Sequence, residues 1–284
     1  FRRVLFRSGI NEVTDVETIT EARKPFSSEG ESYDIGSGFE LFGGIDTDIG
    51  FAVNTTRDQV RSGTRYENRS IKWPDLRIRI SQFKTFPLIK GVINKFISVF
   101  QPRTGFSRDV KETYDLDNDF LTDRAVTTNY NPILSITFRV FRSLQLSGSY
   151  TLTRSESERY NRQNGELDNE TRSSKSAIAF STRYSFSAPG GIGIPLFGNV
   201  KFQSQVSIDL NVRYSSNLTE NSQDGRPFVV TNDRSEFSVA PVISYTFSQQ
   251  IKGGISARWQ DNNDSKLNRK SHTRELQIWA EIRF

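Results

Sequence analysis

The chain of 284 residues is 35% hydrophobic and carries a net charge of +5, with no Cys, no Met and a single histidine, His272. The absence of Cys and the lone His exclude a disulfide framework, a thiolate metal site and the usual multi-histidine zinc chemistry. The dispersed Lys and Arg form no basic block of the kind that favours nucleic acid. No run approaches the roughly 20 apolar residues of a membrane-spanning helix, yet a mean hydropathy of −0.56 suits a membrane β-barrel, whose strands alternate apolar and polar residues.

Residues 1–8, Phe1-Arg2-Arg3-Val4-Leu5-Phe6-Arg7-Ser8, resemble a translated sequencing adapter and are set outside the expected fold. With no Met at position 1, the chain is expected to be a piece of a longer protein. Residues 9–38, with Pro25, Gly30, Gly36 and Gly38, predict a polar loop or linker. Residues 39–284 predict the strands of an outer-membrane barrel. The early strands are expected over Ile45 to Thr56, Ile71 to Phe83 and roughly Ser98 to Asp109. Between the second and third of these, Leu88, Ile89, Val92, Ile93 and Phe96 recur at helical spacing and predict a short amphipathic helix over 86–96.

From residue 134 onward the pattern has the period of two that sends side chains to opposite faces of a strand. Leu134, Ile136, Phe138 and Val140 alternate with Ser135, Thr137 and Arg139, and Leu144, Leu146, Tyr150 and Leu152 follow. Further strands carry Ile178, Phe180, Tyr184 and Phe186, then Val206, Ile208, Leu210, Val212 and Tyr214, then Phe237, Val239, Ile243, Tyr245 and Phe247. The last two hold Ile251, Ile255, Ala257 and Trp259, then Leu276, Ile278, Ala280, Ile282 and Phe284. The pattern predicts an all-β fold, an antiparallel transmembrane barrel wall of about ten strands, as the C-terminal part of a larger barrel. Residues 141–143 and 248–250 read as tight turns and 187–199 as a Pro- and Gly-rich connection, whereas 154–175, 215–235 and 261–272 read as long charged loops. Long strands with asymmetric loops favour the barrel over a soluble sandwich, whose strands average about 5 to 6 residues.

Two faces follow from this reading. Phe180, Val206, Ile208, Leu210, Val212, Ile243 and Tyr245 are expected to face lipid, and Lys201, Gln203, Gln205, Asp209, Asn211 and Arg213 the lumen. Arg77, Arg79, Arg139, Arg183, Arg213 and Arg258 are candidate selectivity residues or ordinary solvated lumen residues. Asp115, Asp117 and Asp119 have the alternating spacing of a calcium loop, but Phe120 and Val126 stand where such a loop needs Gly and Glu, so an acidic loop is expected. Gly190-Gly191-Ile192-Gly193 lacks the helix and Lys-Ser/Thr of a nucleotide loop and reads as a turn. His272 beside Ser271 shows no oxyanion hole. Neither catalysis nor a cofactor is expected.

The terminal run Leu276, Ile278, Ala280, Ile282 and Phe284 resembles the assembly signal by which barrel proteins are handed to the outer-membrane insertion machinery. The order of features from about Phe39 to Phe284 resembles the C-terminal region of the SprA family, the outer-membrane translocon of type IX secretion. The residues that carry this resemblance are Trp73-Pro74-Asp75-Leu76-Arg77-Ile78 with Phe86-Pro87-Leu88-Ile89, Asn131-Pro132-Ile133-Leu134, Ile194-Pro195-Leu196-Phe197-Gly198-Asn199-Val200-Lys201-Phe202 and Pro241-Val242-Ile243-Ser244-Tyr245. It implies a protein-conducting pore in a Gram-negative outer membrane, with secreted cargo and periplasmic or plug subunits as partners. The alternatives are the barrel of a TonB-dependent nutrient receptor, a lipopolysaccharide-export barrel and, in another class, a soluble β-rich surface adhesin.

Overall fold

The computed structural model describes residues 25–41, 44–60, 63–81, 97–140, 143–194, 198–248 and 250–282. All eleven elements are strands: β1 (Pro25–Leu41), β2 (Ile45–Val60), β3 (Arg65–Ile80), β4 (Ile97–Asp115), β5 (Phe120–Val140), β6 (Leu144–Tyr160), β7 (Leu167–Ile194), β8 (Gly198–Gln223), β9 (Val229–Thr246), β10 (Ile251–Asp264) and β11 (Arg269–Ile282). They form one antiparallel sheet in chain order from β1 to β11. Among the described residues the sheet is not closed: β1 hydrogen-bonds only to β2, and β11 only to β10. Because the strands are odd in number and alternate in direction, β1 and β11 run the same way.

Ten strands coincide with alternating segments of the sequence, and β1 is the addition. Residues 25–38, expected as a loop, form most of this strand, with Tyr33 facing Val53 and Ile35 facing Phe51 on β2. Its glycines and polar residues mask the alternation, and backbone pairing with β2 supplies what propensity does not.

The long charged loops are a second correction. Strands run through most of 154–175, 215–235 and 261–272, leaving the turns 161–166, 224–228 and 265–268. Polar residues occupy both faces there, so the sequence loses its period while the backbone ladder continues. Cross-strand ion pairs reinforce it: Arg57 to Glu67 at 2.9 Å, Arg124 to Glu158 at 3.5 Å, Arg172 to Glu156 at 3.0 Å and Arg234 to Asp264 at 2.8 Å. The glycine-rich segment 187–199 differs in the same way. Ile192 pairs with Val200 and Gly193 with Asn199, so β7 and β8 continue nearly to residues 195–197. The helix expected over 86–96 lies outside the described residues.

Bulges keep the apolar residues in phase. In β3, Ile71 is odd-numbered, whereas Leu76, Ile78 and Ile80 are even-numbered, which would put them on opposite faces of a regular strand. One extra residue at Trp73-Pro74 resets the count: the register against β2 moves from Ala52↔Lys72 to Gly50↔Asp75. Proline suits that position because it has no N–H to give the ladder. Around Asn131-Pro132, β5 carries two extra residues against β6, from Tyr130↔Leu152 to Leu134↔Tyr150, so the phase is kept. Thr104 Oγ1 donates to the Ile133 carbonyl at 2.6 Å and ties this bulge to β4.

Gly105 lies beneath that bulge, where an added Cβ would stand 2.9 Å from the Asn131 carbonyl oxygen. Gly105→Val should therefore destabilise the fold by about 1–3 kcal/mol through overpacking. Gly36→Ala, whose nearest neighbour would be 3.9 Å away, should change stability far less. Denaturant unfolding of the two variants in parallel checks this, and equal midpoints would refute the account of the bulge.

Candidate functional site

The site is the pair of faces that the register creates. On one face, apolar residues align in rows that cross several strands. Leu144, Tyr184, Ile208, Ile243, Ile255 and Ile278 make one such row from β6 to β11. Tyr150, Ile178, Tyr214 and Phe237 make another from β6 to β9. Within β8 the apolar stretch from Val206 to Tyr214 spans nine residues, the length a tilted membrane strand needs, about 9 to 11.

These side chains are not a core. Among the described residues, Val206 is the one buried hydrophobic side chain, at 4% exposure, whereas Ile243 and Ile255 are each 49% exposed and Ile278 79%. Val206 departs from the other expected lipid-facing residues because its cross-strand neighbours are the aromatic Phe186 and Tyr245. Phe180, Ile208, Leu210, Val212, Ile243 and Tyr245 occupy the same face in register. Aromatic pairs sit toward the ends of the band: Tyr184 stacks on Phe186 at 5.3 Å, Tyr245 meets Phe247 edge-on at 4.8 Å, and Phe51 meets Trp73 at 5.9 Å.

The opposite face is polar. Gln205, Asp209, Asn211 and Arg213 alternate with the apolar residues of β8, and Gln205, Asn211 and Arg213 are exposed. Lys201 and Gln203 lie on β8, but their side chains are outside those described. Serines bridge the strands, Ser147 with Ser181 at 2.6 Å and Ser185 with Ser207 at 3.0 Å. Four of the six arginines singled out in the sequence have carboxylate partners. Arg77 reaches Asp75 at 3.4 Å, Arg79 reaches Asp46 at 3.5 Å, Arg183 donates to Asp209, and Arg258 reaches Glu275 at 4.0 Å. A concavity of about 1040 Å³ on this side is lined by residues from β6 through β11, and a smaller one of about 320 Å³ lies on the opposite face over β5 to β8.

The terminal strand follows the same geometry. Leu276, Ile278, Ala280 and Ile282 share a face and pair with Ala257, Ile255, Gly253 and Ile251. Phe284 lies outside the described residues. On the other face of β11, Trp279 packs over Gly254, where any Cβ would collide with the Ile243 carbonyl and the indole ring. No local pattern signals this contact, since a glycine pair in a strand does not name its neighbour.

The acidic triplet is a turn. The Asp115 carboxylate is buried at 3% exposure and accepts from the backbone N–H of Asp117 at 3.0 Å and of Asn118 at 3.2 Å. Asp117 accepts from the backbone and side chain of Arg65, each at 2.9 Å, and Asp119 takes the left-handed conformation, φ 53°. Among the described residues no three acidic or histidine groups converge as a metal would require. His272 Nδ1 lies 2.6 Å from Asp261 Oδ1 across β10 and β11. Successive residues of a strand project to opposite faces, so Ser271 is directed away from that pair and accepts instead from Asn262 at 3.4 Å.

No family model matches the chain, and no curated protein matches it.

The bonds from Arg65, first from its backbone and then from its side chain, hold the Asp117 carboxyl below its ordinary value. Its folded pKa is depressed, so its contribution to stability is complete above the unfolded value of about 3.9 and is lost as pH falls through the folded pKa. An NMR titration should place the Asp117 midpoint below that of ordinary aspartate. Arg65→Ala should move the midpoint up, and an unchanged midpoint would rule out the side-chain contribution.

Proposed function

We propose that this sheet is a section of the wall of an outer-membrane β-barrel, and that the barrel is a protein-conducting pore of the type IX translocon kind. The observation that carries the membrane reading is the set of cross-strand apolar rows, solvent-exposed and about nine residues tall, backed by a polar concave face. A large aliphatic side chain left in water forgoes about 1.5–3 kcal/mol relative to burial, and monomeric soluble proteins rarely expose apolar patches beyond a few hundred Å². A bilayer removes that cost. It also demands that backbone groups be paired within it, which the continuous ladder does for β2 through β10.

Among the described residues the eleven-stranded sheet is open, which fits a section of a larger barrel. An up-and-down barrel of antiparallel strands closes with an even number, as bacterial single-chain barrels have, whereas β1 and β11 run in the same direction. A wide, polar-lined lumen suits large hydrophilic cargo. The type IX reading adds the resemblance carried by Trp73-Pro74 and Asn131-Pro132, which stand at the bulges that re-phase β3 and β5.

Fractionation tests the membrane reading: the intact protein should sediment with outer membranes and resist extraction at high salt, and recovery in the soluble periplasm would end the proposal. Depleting it should leave exported proteins stranded in the periplasm, and undiminished export would leave a barrel of another kind. On β8, Leu210→Arg should cost about 2–4 kcal/mol if that residue sits near the bilayer midplane, and Asn211→Arg close to nothing. Refolding into vesicles measures both, and equal costs would contradict a one-sided lipid face.

A further inference from the structure

Charges are distributed differently on the two sides of the strand extensions beyond the apolar band. On the band's own face, Arg57, Arg124 and Arg172 are each engaged by glutamates. On the concave face the cations exceed the carboxylates. The concavity lined by β6 to β11 holds Lys175, Arg213, Arg234 and Arg269 of that face against Glu236 and Asp264.

Register arranges several of these groups in a line. Lys175 on β7 pairs with Asn217 on β8, which pairs with Arg234 on β9, then Asp264 on β10 and Arg269 on β11. Asp264 is occupied by Arg234 at 2.8 Å and by the backbone N–H of Leu267 at 3.0 Å, and these bonds, the backbone one foremost, hold its carboxyl below the ordinary range. Lys175, Arg213 and Arg269 have no carboxylate within ion-pair distance among the described residues, and all three are exposed.

We propose that this row is a docking track for an acidic, extended polypeptide segment on the lumen side of the wall, an inference that rests on the concave face being a water-filled lumen. Neighbouring strands are about 4.8 Å apart, so Lys175, Arg234 and Arg269, two strands apart in turn, recur at roughly 10 Å. A chain in the extended polyproline II conformation advances about 3.1 Å per residue with three residues per turn, so carboxylates three residues apart fall on one side at close to that interval. Asn217, Asn262, Asn263 and Asn268 line the same concavity. Their carboxamides both donate and accept, which suits a peptide backbone better than it suits a sulfated or phosphorylated polyanion. The track attracts by several exposed charges, so binding is salt-dependent and tunes capture more than it locks a complex.

The test uses the full-length protein in detergent, with fluorescein-labelled deca-glutamate as the probe and anisotropy as the readout. The ionic strength is about 0.01 M, where the screening length is about 30 Å. Binding is expected, with deca-lysine not bound, and the triple variant Lys175→Gln, Arg213→Gln, Arg269→Gln should weaken it at least about tenfold. Arg57→Gln, on the opposite face, should leave it within about twofold. Normal outer-membrane fractionation and heat-dependent gel migration of each variant separate this question from the membrane reading. If the triple variant does not fold, Lys175→Gln alone should weaken binding by about two- to threefold. No binding of deca-glutamate by membrane-integrated protein, equal binding by a folded variant, or binding of dextran sulfate without deca-glutamate would overturn the proposal.

Discussion

Register is the constraint on which everything else in this sheet depends. Each strand pairs with its neighbour in the chain, and because side chains alternate with a period of two, a slip of one residue would carry every apolar group to the polar face. The aligned row from Leu144 to Ile278 exists because five successive pairings keep that phase. Where the sequence itself breaks phase, at Trp73-Pro74, one bulged residue repairs it. Thr104 and Gly105 make room for, and tie down, the longer bulge at Asn131-Pro132.

The resulting object has no interior of its own. With Val206 the lone buried hydrophobe among the described residues, the hydrophobic term that ordinarily drives folding is not collected within the sheet. Backbone hydrogen bonds and cross-strand contacts hold the strands side by side, and the apolar face is left exposed. Pairing of side chains on the polar face, as in Ser147 with Ser181 or Arg183 with Asp209, adds modest stability per contact but many contacts.

Beyond the apolar band the strands continue as polar ribbons. There, neither face is apolar and the ladder is supported by Arg–Glu and Arg–Asp pairs across strands and by caps such as Asp115 in the β4–β5 turn. Arg172 also lies over the Phe228 ring at 4.1 Å. These extensions carry the cationic row of the polar face.

The alternating segments, read alone, determined the all-β class, ten of the eleven strands and which β8 residues share a face, because a period of two is a local property of the chain. They did not reveal β1, whose glycines and serines have no period, nor the strand extensions over 154–175 and 215–235, whose charges are polar on both faces and look like loop. The acidic triplet was legible as an acidic loop, and its capping by Asp115 is local, but the two bonds of Asp117 to Arg65 join residues 52 apart. Only the tertiary structure decided those, together with the packing of Trp279 on Gly254 and the line from Lys175 to Arg269. Each arises from hydrogen-bonded register between strands, which couples distant positions that no local pattern relates.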